Sequence, residues 1–121
     1  MTDRQERGRR GEAAAAKYYL DRGCRLLAHG YRTRQGELDL ILEDRGVIVV
    51  AEVKTRGQRA LFSGAEAVDT AKQRRILLAA KRYLQQNGLT ERQVRFDVVE
   101  VGCVPGGYRI HCIKSAFEAG L

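Results

Sequence analysis

Glu37-Leu-Asp-Leu-Ile-Leu-Glu-Asp-Arg-Gly-Val-Ile-Val-Val-Ala-Glu-Val-Lys-Thr55 is the stretch on which the fold turns. Its two apolar runs, 37 to 43 and 47 to 55, are too short for helices, and Asp44-Arg45-Gly46 between them is a short turn signal. They read as a β-hairpin. The second run, Val47-Ile-Val-Val-Ala-Glu-Val, is apolar at consecutive positions, so both of its faces should be covered, as in a central strand.

Working outward from the hairpin, residues 25 to 33 form an earlier strand, set off by Gln35-Gly36, and complete a three-stranded meander. Residues 3 to 22 read as a helix, with Ala13, Ala16, Tyr19 and Leu20 as its apolar stripe and Gly23 as its C-cap. Gly8 and Gly11 weaken its first half. Beyond the hairpin, 57 to 64 breaks the pattern and reads as a loop carrying Arg59 and Phe62. A second helix then runs from about Ala65 to Gln86. Ile76, Leu77, Ala80, Tyr83 and Leu84 mark its apolar side, Arg74, Arg75, Lys81 and Arg82 its basic side, and Asn87-Gly88 its end. Residues 95 to 101 and 108 to 113 are a fourth and fifth strand around Pro105-Gly106-Gly107. The third strand, second helix and fourth strand make a β-α-β crossover, so the sheet mixes antiparallel and parallel pairs. The expectation is one α/β domain over 1 to 121, a mixed sheet of about five strands flanked by helices.

The 22 Lys and Arg residues outnumber the 15 Asp and Glu, giving net +7. Such an excess suits a polyanion, nucleic acid first, if it is gathered on one face; dispersed, it is a solubilising surface. An anionic membrane fits less well, because no long apolar run accompanies the charge. The polar N-terminal residues do not resemble a secretory signal, and three cysteines without a C-x-x-C pair argue against a disulfide framework or zinc knuckle, so a reducing cytoplasm is expected. His111-Cys112 with Cys103 can be drawn as a partial metal site, but buried strand cysteines are the commoner case.

Strand alternation places Asp39 with Glu37 on one face of its strand, and Glu52 with Lys54 on one face of the next. With Arg45-Gly46 as a two-residue loop, paired positions sum to 91, so Asp39 opposes Glu52 and Glu37 opposes Lys54. Two carboxylates facing each other with Cβ atoms about 4.5–5.5 Å apart repel unless something neutralises them. Mg²⁺ or Mn²⁺ would, since hard carboxylate oxygens suit these ions. Lys54 would add positive charge near an attacking water or a developing phosphate anion. The alternative is a plain charge network in which Lys54 pairs with Glu37. Glu12 shares the apolar side of the first helix; it is either a fourth member of this group or a boundary acid paired with an arginine.

Gly36-Glu-Leu-Asp-Leu-Ile41, Val50-Ala-Glu-Val-Lys-Thr-Arg56, Phe62-x-Gly64, Lys72, Arg95-Phe-Asp97 and Ala116-Phe117 closely resemble the YraN-like family of bacterial proteins across nearly the whole chain. That family is regarded as a group of predicted endonucleases, similar to archaeal Holliday junction resolvases and to PD-(D/E)xK nucleases; Leu38 stands here where the name of that motif has proline. The resemblance implies a restriction-endonuclease-like core, a catalytic set of Glu12, Asp39, Glu52 and Lys54, and metal ligation by Asp39, Glu52 and Glu12. It also implies an Mg²⁺- or Mn²⁺-dependent endonuclease acting on nucleic acid, with DNA favoured over RNA, and a homodimer. Arg56, Arg59, Lys72, Arg74, Arg75, Lys81 and Arg82 are the expected backbone contacts, with a solvated helix face as the alternative for Arg74, Arg75, Lys81 and Arg82. A nucleic-acid-binding module that keeps the fold without turnover is the rival reading.

Overall fold

A computed structural model describes residues 3–56 and 69–118. Its elements follow in the order α1 (Asp3–Asp21), β1 (Arg25–Arg32), β2 (Glu37–Asp44), β3 (Val47–Arg56), α2 (Thr70–Gln86), β4 (Val94–Val104) and β5 (Gly107–Phe117). The five strands form one sheet in sequential order, antiparallel except for the parallel β3–β4 pair. This is the mixed, restriction-endonuclease-like α/β arrangement expected of the sequence, with one helix on each face.

β3 is covered on both sides because its side chains alternate between two cores. Ile48 and Val50 join Ile41, Ile76, Ala80, Tyr83, Phe96 and Val98 beneath α2, whereas Val49 and Ala51 join Ala15, Tyr19, Leu40, Leu42, Val99 and Val101 beneath α1. Burying a side chain of the size of Ile76 is worth about 1.5–3 kcal/mol. Arg45 (φ 51°) and Gly46 (φ 91°) both lie in the left-handed region, as a two-residue type I′ hairpin turn requires. The resulting register runs from Asp44↔Val47 to Leu40↔Ala51, every pair summing to 91.

Several elements differ from the sequence reading. The buried side of α1 is Gly11, Ala15 and Tyr19; Ala13 and Leu20 face outward. Gly11, expected to weaken the helix, lets it settle onto the sheet, since a Cβ there would lie 2.0 Å from Thr55 Oγ1. Gly23 closes α1 as expected, with Cys24 N–H donating to the Tyr19 carbonyl and Gly23 N–H to that of Leu20, a Schellman pair. α2 starts at Thr70, capped by the Asp69 carboxylate, which accepts the Lys72 N–H at 2.8 Å. The earlier helical start at Ala65 and the loop with Arg59 and Phe62 fall outside the described residues. β5 runs four residues past Ile113, because a bulge with Ser115 at φ 51° restores pairing and lets Phe117 stack on Phe96 at 5.1 Å. Of the cysteines, Cys24 is buried and precedes β1, while Cys103 and Cys112 are half-buried on strands, and all three are free. No described helix is long and apolar enough to cross a membrane.

Candidate functional site

The hairpin ladder stops one step short of the two acids. After Leu40↔Ala51 the strands no longer pair, and Asp39 turns its carboxylate onto the backbone, Oδ2 accepting the Val53 N–H at 2.8 Å. Asp39 and Glu52 are therefore not a cross-strand backbone pair, and neither are Glu37 and Lys54. Glu37 instead faces Arg32 across β1, Oε1 to Nε 3.5 Å. The physical reason is local: a carboxylate supplied to a strand N–H replaces the carbonyl that the ladder would have used.

Glu52 lies on the α2 side of β3, in phase with Val50, and is only 2% exposed. Lys54 follows two residues on. Above them the capped first turn of α2 delivers Lys72, whose Nζ is 3.6 Å from Glu52 Oε2. Gly36 keeps this helix end close to the β1–β2 turn, since a Cβ there would meet Arg75 at 3.2 Å. The other Glu52 oxygen, Oε1, is buried without a hydrogen-bond partner. An orphaned carboxylate oxygen is costly, and it is the kind of atom that a missing ligand would satisfy.

The electrostatics follow from this crowding. Burial, then the charge of Asp39, pushes the Glu52 carboxyl up to about 8 against the pull of Lys72. Burial, then the neighbouring Lys72, holds the Lys54 ammonium below its ordinary range. Burial also acts to lower Lys72, but the carboxylates of Glu52 and Asp39 outweigh that and raise it. Glu12 comes near Asp39 from the α1 side, where burial first, then Asp39 and Glu37, push its carboxyl up to about 7. A cleft of about 520 Å³ lined by Arg9, Glu12, His29 and Leu40 opens beside it.

The donor set fits a divalent cation through two carboxylates, Asp39 and Glu52, one of them carrying the orphaned oxygen. Mg²⁺ needs no more than one or two carboxylates, its other positions going to water and phosphate oxygens. Among the described residues no three His, Cys, Asp or Glu side chains are grouped so as to hold a metal ion, so Glu12 does not complete a three-carboxylate cage in this arrangement. The drawn site of Cys103, His111 and Cys112 does not form either. His111 Nδ1 lies 3.5 Å from Glu100, and Cys112 Sγ lies 3.5 Å from the Tyr19 hydroxyl.

The expected backbone-contacting residues divide into three groups. Arg74, Arg75, Lys81 and Arg82 are exposed on the outer side of α2. Arg56 is drawn inward, Nε 3.5 Å from the fully buried Glu100. Lys72 belongs to the carboxylate cluster itself, and Arg59 lies outside the described residues. The sequence reading missed this place of Lys72, although the Asp69-x-x-Lys72 spacing of an N-cap and first turn was there to be read. It also missed Asp97 and Glu100, two fully buried acids on β4.

The comparisons with known proteins agree on one family. The family described as Uncharacterised protein family UPF0102 matches residues 11–101. A UPF0102 protein of Symbiobacterium thermophilum is 46% identical over 114 residues, covering 93% of this chain and 96% of its own length. Another, from Syntrophus aciditrophicus, is 42% identical over 118 residues, covering 98% and 93%. One from Desulforapulum autotrophicum is 37% identical over 115 residues, covering 95% of each. The match takes in Gly11, Asp39, Glu52, Lys54, Lys72 and Asp97 alike, and the chain belongs to the UPF0102, or YraN-like, family.

Proposed function

We propose that this protein is a metal-dependent endonuclease that hydrolyses phosphodiester bonds in nucleic acid, with branched DNA the first substrate class to examine. One observation carries the reading: Glu52 is buried beside Asp39 with an orphaned oxygen, and two lysines stand next to the pair. A carboxylate kept at such cost beside a second acid is poor structural economy and good cation chemistry.

Asp39 and Glu52, with the Val53 carbonyl, would hold Mg²⁺ or Mn²⁺, and Glu12 would act from the α1 side through its effect on Asp39. The bound ion supplies Lewis acidity toward a phosphate oxygen and lowers the pKa of a water. The chain's own part is positional. Asp39, tied to the Val53 N–H, holds the end of β2 against β3 beside Glu52. Lys54, held at low proton affinity in a half-buried position, orients the attacking water or meets charge developing on the phosphate. The exposed Arg74, Arg75, Lys81 and Arg82 offer phosphate contacts along α2. Homodimerisation, as in the resolvases that the family resembles, would present two such sites to two strands.

The test is cleavage of junction, flap, single-stranded and duplex substrates with Mg²⁺ or Mn²⁺, beside Asp39→Ala, Glu52→Ala and Lys54→Ala. Cleavage should be lost in the acid variants and fall by a factor of about 10² or more in Lys54→Ala. Undiminished cleavage in Glu52→Ala would place the activity elsewhere. The Lys72–Glu52 contact favours a second reading, a nucleic-acid-binding module without turnover, because it neutralises one carboxylate internally. Salt-sensitive binding with no cleavage of any substrate would decide for it.

A further inference from the structure

The pair of acids already has two cations of its own. Asp39 and Glu52 carry two negative charges when ionised, and Lys54 and Lys72 carry two positive ones, so these four groups, all ionised, balance before any metal arrives, with Glu12 beside Asp39 as the further acid. A divalent cation would leave the four with two excess positive charges in a half-buried place, unless a cation moves away or an anion comes in. The two lysines are not equally placed to move. Lys54 grows from the interior of the sheet, whereas Lys72 stands in the first turn of a helix, its backbone held by Asp69 and its side chain 33% exposed. Its contact with Glu52 is loose, 3.6 Å, longer than a direct hydrogen bond. A four-carbon stem anchored at its base can swing its ammonium from Glu52 to a phosphate at the mouth of the site without moving the helix.

Resting on the nuclease reading above, we infer that Lys72 is the resident partner of Glu52 in the metal-free protein, and its counter-ion whenever that carboxyl is ionised. A divalent cation must displace it, and the displaced ammonium turns to a phosphate of the nucleic acid. Metal and nucleic acid then bind cooperatively, because the phosphate receives the charge that the metal expels, and each tightens the other by the same factor. Lys72 is thus a positioning residue that restrains the site from loading metal strongly until substrate is present.

Calorimetric titration of Mn²⁺ into wild type, Lys72→Met, Lys72→Gln and Lys72→Arg tests this without reference to cleavage, with Glu52→Gln as the site control. Wild-type binding should be weak and should disappear in Glu52→Gln. Lys72→Met and Lys72→Gln should bind Mn²⁺ about fivefold or more tightly than wild type, the low end of ordinary coupling energies, and Lys72→Arg should stay near wild type. Above pH 8, where Glu52 is ionised, both neutral variants should also melt lower than wild type in EDTA, since the carboxylate then has no counter-ion. The two neutral replacements differ in polarity, so a folding failure in one leaves the other to answer. Unchanged or weaker Mn²⁺ binding in the folded neutral variant, with Glu52-dependent binding intact in wild type, would overturn the inference and leave the nuclease reading standing. No Mn²⁺ binding by wild type or either neutral variant would overturn both.

Discussion

Asp97 and Glu52 sit on neighbouring parallel strands, one pairing position apart, and both are almost wholly buried, yet they face opposite sides of the sheet and live differently. Asp97, on the α1 side, accepts from the Tyr19 hydroxyl at 2.8 Å, from Arg95 Nε and Nη2 at 3.0 and 3.1 Å, and from the Ser115 N–H at 3.0 Å. Glu52, on the α2 side, has a loose contact with Lys72 and an oxygen without a hydrogen bond. The first carboxylate joins α1, β4 and the β5 bulge into one network. The second is held at a cost that its own surroundings do not offset. Burial alone therefore does not separate a structural acid from a working one; the count of satisfied lone pairs does.

The comparison breaks most visibly at Asp97. Replacing it with Ala leaves the Arg95 guanidinium, the Tyr19 hydroxyl and the Ser115 N–H without this acceptor. Urea and thermal unfolding should show a loss of about 3–5 kcal/mol, a fall in Tm on the order of 10–20 °C. A Tm within a few degrees of wild type would show that the network carries little of the fold.

Glu52→Gln should do something different and depend on pH. The Glu52 carboxyl is raised in the folded state from 4.5 to about 8, so the folded protein holds a proton that the unfolded chain has lost. Its contribution is fully present below pH 4.5 and is lost as pH rises through about 8, at up to about 1.4 kcal/mol per pH unit. Glu12, raised to about 7, adds to the same slope over the lower part of the window. In EDTA, wild type should lose stability between pH 5 and pH 8 and Glu52→Gln should lose less, ending as the more stable of the two above pH 8. Parallel curves for the two proteins would contradict the assignment.

Tyr19→Phe sharpens the contrast by removing one of the four donors to Asp97 and nothing from Glu52. Hydrogen bonds to charged groups are worth about 1.5–3 kcal/mol, and a loss of that size in urea unfolding, without change in the pH slope, is expected. The smallest effect should come from Lys17→Ala. Its pair with Asp21 is tight, 2.6 Å, but the side chains are 75% and 57% exposed. About 0.3–0.5 kcal/mol is the expected loss, which salt should erase; a larger loss would mean that distance, not burial, sets the worth of ion pairs here.

Much of this molecule is legible in one dimension because its signals are local. The apolar periods of 25 to 55, the Arg45-Gly46 turn and the basic and apolar sides of the second helix are written within a few residues of each other, and the element order and hairpin register follow from them. α1 is harder to read, since its alanines give almost no hydrophobic contrast: Tyr19 is on the expected stripe and is buried, whereas Ala13 and Leu20 face outward and Gly11 and Ala15 take the buried places. The bulge that carries β5 on to Phe117 depends on a Ser115 N–H finding Asp97 eighteen residues away, which no local pattern announces.

The residues of the candidate site divide the same way. Asp39, Glu52 and Lys54 are determined by sequence, because strand alternation and a two-residue turn are geometric rules that need no knowledge of the rest of the chain. Tertiary structure alone decided what they meet. It turned Asp39 onto the Val53 N–H where a cross-strand pair was expected, took Glu37 to Arg32, and brought Lys72 down from α2 beside an orphaned Glu52 oxygen. The reason is physical: the partners of a buried charge come from segments distant in sequence, and only packing decides which of them reaches it first.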